Sequence, residues 1–358
     1  MRREKPWTRW MAVEARTRKP LIVPVFVPHA GCRHRCVFCN QSIIAGQPEA
    51  SLDPKKVRLQ ISSFLERCQN IPRPLQIAFY GGNFLGLSSA RITGFLSEAA
   101  RFIAGKRAGG IRFSTRPDTI DPERLALLTE FPVETVEIGA QSMDDRVLET
   151  SRRGHTAADT SRAADWVRKG GFQLGLQIMV GLPGDDEEVS METARRVVAL
   201  GPDFVRIYPT VVVEGSLLAD WYRDGLYQPW RLERAVSLTA RMADLFREKS
   251  IRVIRMGLQA TEDLQPGETI LAGPWHPAFG HLVYSRILLE KATVLLAGRL
   301  DEKEGRGPSQ VVLRVHPRTE SRLRGMRNEN IRQLKARFGL ETLTIQRDSS
   351  LPEDVVEL

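Results

Sequence analysis

The chain has 358 residues, 42% of them hydrophobic, and a formal net charge of +9 at pH 7. That is long enough for one large domain and a smaller one, and the positive surplus favours anionic partners such as nucleic acid, nucleotides or acidic surfaces. No apolar run nears the roughly 20 residues that a membrane span needs. Four cysteines, three of them inside CRHRCVFC, are too few for a disulfide scaffold, which excludes a small secreted framework and points to a cytoplasmic chain in a reducing compartment.

Residues 1–20 read as a basic arm; it contains Glu4 and Glu14 and has neither an apolar h-region nor a small-residue cleavage site. Short β-rich runs then recur at 21–28, 75–82, 111–116, 133–140, 173–184 and 203–210, and IRVIRMG at 251–257 is a further candidate strand. Amphipathic helical patterns separate them, among them KKVRLQISSFLERC, SSARITGFLSEAARFIAG and VSMETARRVVALG. Alternation at this pace predicts an α/β fold, a partial (βα)6 TIM-like barrel over 21–262. In such a barrel the chemistry gathers at the C-terminal ends of the strands. The cysteines, Gly81-Gly82-Asn83 and Arg116-Pro117-Asp118 all fall there. A helical connector is expected over 263–309, and residues 310–358 read as a small α+β segment with the order strand, helix, helix, strand. Cys68, in the amphipathic ISSFLERCQN, reads as core.

Cys32, Cys36 and Cys39 have the spacing Cys-x3-Cys-x2-Cys in a loop beside Gly31. Three thiolates in a tight loop suit a [4Fe-4S] cluster, because three irons are ligated and the fourth is left open. The open iron can chelate S-adenosylmethionine, so that one electron breaks the sulfonium bond and releases a 5′-deoxyadenosyl radical. The alternative is structural zinc with His29 or His34 as fourth ligand in a non-catalytic RNA-binding protein. Zinc sites usually pair two knuckles, and this sequence has one.

At these residues the chain resembles the radical S-adenosylmethionine superfamily, whose Cys-x3-Cys-x-aromatic-Cys signature is met by Cys32, Cys36, Phe38 and Cys39. HAGCRHRCVFCNQ, FYGGNFLGL, FSTRPD, VEIGAQS, MVGLPGDD and VRIYPTVVVEGSLL look more narrowly like the catalytic subunit of elongator and its relatives. The resemblance implies that Phe38 packs near the cluster or adenine, and that Gly81, Gly82 and Asn83 occupy the Gly-Gly-Glu position that binds the cofactor amino group. The glutamate is absent here. It also implies that Ser114 and Arg116 receive the cofactor carboxylate and that Met179 lies on the adenine side. Glu137, Gln141, Arg206 and Tyr208, at the ends of the fourth and sixth runs, are candidates for ribose or substrate contact, with Glu137 pointing inward by strand alternation and a buried structural carboxylate as the plainer alternative.

An external one-electron donor of flavodoxin or ferredoxin type is expected with such a cluster. The sequence shows no Gly-rich acyl-CoA pattern after the barrel, so acetyl transfer is not expected, and the lack of a second cysteine set argues against sulfur insertion. Between 310 and 340, eight Lys or Arg stand against two Glu. RGMRNENIRQLKARFG lies between two helices where a KH module carries its Gly-x-x-Gly loop. Arg324, Gly325, Arg327, Asn328 and Arg332 are therefore candidates for RNA contact, and a tRNA is the expected substrate. A small anionic molecule or a protein side chain is the second reading. Trp275 and His276 read as packing residues before pocket lining.

Overall fold

The computed structural model describes residues 20–27, 31–40, 52–68, 74–105, 108–258, 266–301 and 310–358. The N-terminal arm up to residue 19, His29 and most of the two polar breaks near 262 and 305 lie outside them. Strands β1 (Leu21–Val27), β2 (Leu75–Gly81), β3 (Gly110–Thr115), β4 (Val133–Gln141), β5 (Gln173–Val180) and β6 (Phe204–Pro209) are followed by the two-residue β7 (Val212–Val213) and by β8 (Arg252–Met256). β1 to β6 and β8 form one seven-stranded sheet in that order. Every pairing in it is parallel. The partial TIM-like barrel expected from the alternation is the observed fold, with IRVIRMG as its seventh strand.

Parallel neighbours need crossovers, supplied by helices α1 (Pro54–Arg67), α2 (Ser89–Ala104), α3 (Pro122–Leu128), α4 (Asp145–Thr150), α5 (Ala157–Lys169) and α6 (Glu187–Leu200). Their starts are written in the sequence: Asp53 accepts from Lys56 N, Thr156 and Asp159 form a capping box, and Asp186 accepts from Val189 N. The sequence reading named no helix between β6 and β8, where the structure has α7 (Leu217–Arg223) and α8 (Leu232–Glu248). Ala235, Leu238, Met242 and Phe246 of α8 are buried at helical spacing, and this helix carries the chain back to a parallel β8.

The two faces of the sheet differ. Leu174, Leu176, Ile178 and Val180 of β5 join Ile92, Phe95 and Leu96 of α2 and Ala163, Ala164 and Val167 of α5 in one core between sheet and helices. The opposite face carries Gln76, Arg112, Glu137, Gln177 and Arg206, so the inside of the partial barrel is polar. Strand β9 (Ile270–Ala272) pairs antiparallel with β7. α9 (Phe279–Asp301) then serves two cores: Phe279, Val283 and Ile287 belong to the barrel, Leu288, Leu289, Ala292 and Leu296 to a second cluster with Val311, Leu313, Val315 and Leu334. The last unit has β10 (Gln310–Val315) between a parallel β11 (Thr342–Arg347) and a short antiparallel β12 (Val356–Glu357), with α10 (Glu320–Arg324) and α11 (Glu329–Phe338) between the first two. Cys68, expected in the core, is half-buried and caps the C-terminus of α1, because the helix stops before turning it inward.

Candidate active site

The cysteine loop leaves the C-terminal end of β1 and is clamped from two sides. Val37 N donates to Ser151 O at 3.2 Å, and Leu218 N donates to Val37 O at 2.8 Å. Asn40 Nδ2 reaches Glu214 O at 2.8 Å. Val37 is fully buried, and Phe38 packs with Val212, Leu218 and Ala219. The loop enters through Gly31 at φ 76°, where a Cβ would lie 2.2 Å from Asn83 O; only glycine permits this approach.

Asn83, expected to offer a carbonyl to the cofactor, is instead spent inside the protein. It is 1% exposed. Its Oδ1 accepts from Thr115 Oγ1 at 2.7 Å, Thr119 Oγ1 at 2.9 Å and Arg116 N at 3.0 Å, while Nδ2 donates to Gly31 O at 3.0 Å. The side chain is a bolt between the cysteine loop and the end of β3, which corrects the expectation of a cofactor contact. Asn83→Ala strands several buried polar groups at once and is expected to cost about 2–4 kcal/mol, seen as a lower urea midpoint at unchanged m-value. An unchanged midpoint would show that the bolt carries no weight.

Arg116 is buried at the end of β3. It pairs with Asp118 at 2.9 Å, donates to the Arg153 carbonyl, and has Nη1 4.0 Å from Cys36 Sγ. Arg153 lies nearer still: Nη1 is 3.0 Å from Cys36 Sγ and Nη2 is 2.5 Å from Gly139 O. Two guanidiniums thus flank one thiol of the cluster loop. Burial and the neighbouring Cys36 push the Cys32 thiol up, and Arg116 and Arg153 pull it down in part. Arg153 was not singled out from the sequence, although SRRGHT was legible as a cationic turn. Its Gly154 backs onto the His34 ring, 2.6 Å from where a Cβ would stand. His155 next to it is held neutral, pushed down to about 3 by burial and then by Arg153 and Arg116, with Nε2 3.3 Å from Ala140 O.

Below the loop, Glu137 is fully buried and doubly ion-paired, to Arg112 Nη2 at 2.6 Å and to Arg206 Nε at 2.6 Å. Tyr80 OH and Gln177 Nε2 also donate to it, each at 3.2 Å. Burial opposes its charge, but Arg206 and Arg112 outweigh burial and hold the carboxyl below its ordinary value. Burial and Glu137 push the Tyr80 phenol up to about 12. Glu137 and Arg206 are therefore engaged with each other and, through the same carboxylate, with Arg112, Tyr80 and Gln177. Arg112 was missed; the alternation that turned Glu137 inward also places Arg112 and Ser114 on the same face as Gln177, whose Nε2 donates to Ser114 Oγ at 2.9 Å.

Nearer the mouth, Met179 and Tyr208 are register neighbours, both half-buried on the inner face, and Tyr208 OH is 3.5 Å from Arg206 Nη1. Gln141 ends β4 at φ 67°, buried, with Oε1 lacking a partner. Gly81 ends β2, and Gly82 opens the turn to Asn83. In the last unit, Arg324 is tied to Glu320 at 2.8 Å and Arg332 to Glu329. Gly325 at φ 69° faces inward, its missing Cβ space lying 2.9 Å from the buried Asn330 side chain, so it serves packing and does not open the turn to a phosphate. Arg327 and Asn328 are exposed and left-handed. Of the five candidates, Arg324 and Arg332 are thus already ion-paired.

A [4Fe-4S] cluster fits the donor set: three thiols on one clamped loop, with two guanidiniums to balance anionic charge. Among the described residues no three Cys, His, Asp or Glu side chains stand close enough to hold a metal ion as placed, so ligation asks the thiol arms to turn towards a common point. Among the same residues no helix is long and apolar enough to cross a membrane.

Chemistry gathered at the strand ends over a polar sheet interior is the layout of a barrel enzyme. Residues 26–197 match the radical SAM superfamily model and residues 202–288 the radical SAM C-terminal domain. The chain belongs to the radical S-adenosylmethionine superfamily, whose members use a [4Fe-4S] cluster and S-adenosylmethionine. It is 26% identical over 240 residues to the tRNA uridine(34) acetyltransferase of Dehalococcoides mccartyi, covering 58% of this chain and 52% of that protein. Identity to the protein of that name from Methanocaldococcus jannaschii is 25% over 301 residues, 74% of this chain and 54% of the relative. The chain spans about half the length of these curated relatives. The solved Elp3 of Methanocaldococcus infernus, with an N-terminal deletion, superposes at TM-score 0.59 and 22% identity over 76% of this chain and 63% of that one, a likeness of fold.

Proposed function

We propose that this chain is a radical S-adenosylmethionine enzyme that modifies RNA, with a tRNA as substrate. The observation that carries the RNA reading is the match over 74% of the chain to a protein named for tRNA uridine 34; the net charge of +9 agrees with it. When bound, the cluster and S-adenosylmethionine supply a 5′-deoxyadenosyl radical. Cys32, Cys36 and Cys39 hold the cluster. In this reading Arg116 and Arg153 receive the cofactor carboxylate, and Gln141, Gln177, Ser114 and Met179 contact the cofactor or substrate from the inner face. The Glu137 network keeps that face rigid and polar. Arg33, His34 and Arg35 are exposed on the cluster loop, and a basic rim of this kind suits an acidic one-electron donor of flavodoxin or ferredoxin type.

The test is dithionite-driven turnover of the anaerobically reconstituted full chain with and without bulk tRNA, followed by mass analysis of the nucleosides. Release of 5′-deoxyadenosine is expected to rise with tRNA, together with a new nucleoside mass. Stimulation by a pool of small anions or peptides and not by RNA would overturn the substrate reading while leaving the radical chemistry intact.

A further inference from the structure

The cationic surplus of the last unit is mostly spent on itself. Arg314 is tied to Asp348 and Glu357, Arg318 to Glu353, Arg324 and Arg347 to Glu320, and Arg332 to Glu329. Among the described residues of this unit Arg322, Arg327, Lys335 and Arg337 have no carboxylate within ion-pair distance, and Lys335 and Arg337 lie further along α11, Arg337 over the Phe338 ring. Arg322 lies over the Tyr284 ring at 4.5 Å from its centroid. Tyr284 sits one turn after His281 on α9, and burial, then the nearby Arg322 and His276, lowers the His281 pKa.

These groups also reach the mouth of the barrel. α9 starts against the C-terminal end of β8, where a Cβ on Gly257 would lie 2.6 Å from Phe279 Cβ. Trp275 packs on Val211 and Val213, just past the end of β6. His276, His281, Tyr284 and Arg322 therefore follow one another from the catalytic ends of the strands onto the C-terminal unit, all half-buried, and the exposed Arg327 stands five positions further along the chain, past the end of α10.

We infer that this line is a track for single-stranded nucleic acid, holding the strand next to the nucleotide in the barrel. Aromatic faces interleaved with unpaired cations are what an unstacked strand needs: rings and guanidinium planes take bases, and free guanidiniums take phosphates. A carboxylate-paired arginine has first to give up its partner, which is why Arg322 and Arg327 are assigned here and Arg324 and Arg332 are not. The inference rests on the RNA reading of the preceding section and adds the surface that would do the binding.

The experiment is fluorescence anisotropy of the reconstituted full chain with a labelled 12-nucleotide oligouridylate over a salt series, comparing wild type, Arg322→Gln/Arg327→Gln, and Arg195→Gln on the outer helix layer as control, with melting curves to confirm folding. The double variant is expected to bind about tenfold more weakly. The slope of log K against log salt should shrink by about 1.4, since each phosphate contact on a single strand contributes about 0.7. Arg195→Gln should bind as wild type does. If the double variant keeps wild-type affinity and slope, the track is wrong and the RNA reading survives. If wild type itself binds no RNA, that reading fails and the track with it. Competition by polyglutamate as effective as by RNA would assign the surface to an acidic protein and overturn the proposal.

Discussion

Anaerobically reconstituted Cys36→Ala is expected to lose its iron and, with it, dithionite-driven release of 5′-deoxyadenosine. Cys36 is one of three thiols on a loop clamped by Val37 and Asn40, and the one flanked by both guanidiniums. Removing it takes away a ligand and leaves Arg153 facing an apolar methyl. The loss should exceed the roughly 10–100-fold that deleting an outer-shell partner costs a metal site. Arg153→Lys sets the scale, because it keeps the charge, loses the fork that spans Cys36 Sγ and Gly139 O, and should retain iron while weakening turnover within that outer-shell range. Iron and sulfide analysis with the visible absorption of the cluster read the first effect, and product release reads the second. Full iron and undiminished turnover in Cys36→Ala would contradict the assignment of this loop as the cluster site.

Glu137→Gln is expected to destabilise the fold by about 3–5 kcal/mol, the cost of leaving buried charge without its partner. Arg112 on the adjacent β3 and Arg206 on β6, one strand beyond β5, both pair with this one carboxylate, and the neutral amide would compensate neither. A urea titration of the full chain measures it. The pH dependence follows from the direction of the shift. The folded-state pKa of Glu137 is lowered from 4.5, so its contribution is fully present above about pH 4.5 and fades as the pH falls through the lower folded value. Glu137→Gln should therefore lie below wild type at neutral pH, with the gap closing only in acid. A gap that stayed constant down the acid limb would show that packing, and not the ion pairs, is what the substitution disturbs.

Much of the fold was legible because its signals are local. Short apolar runs alternating with amphipathic ones force βα units, and Asp53, Thr156 and Asp186 mark helix starts without help from distant residues. The α8 crossover carries the same local signal in Ala235, Leu238, Met242 and Phe246, whereas the half-burial of Cys68 is not local, because the end of a helix is set by what it meets. At the site, the cysteine spacing stood out in eight consecutive residues. Arg153 did not, because its meaning lies in a thiol 117 positions earlier in the chain.

What the sequence by itself determined is the parallel barrel, the three-cysteine loop and the placing of that loop at the C-terminal ends of the strands, since these follow from periodicity and short-range spacing. What only the tertiary structure decided is which polar residues are free. Asn83 and Glu137 read alike as site residues, yet the packing binds the first to Gly31, Thr115, Thr119 and Arg116 and the second between Arg112 and Arg206. Arg324 and Arg322 stand two residues apart in one basic run, and a carboxylate holds the first while Tyr284 shelves the second. Most buried polar groups have a partner, and for Asn83 and Glu137 the choice of partner is made across the fold.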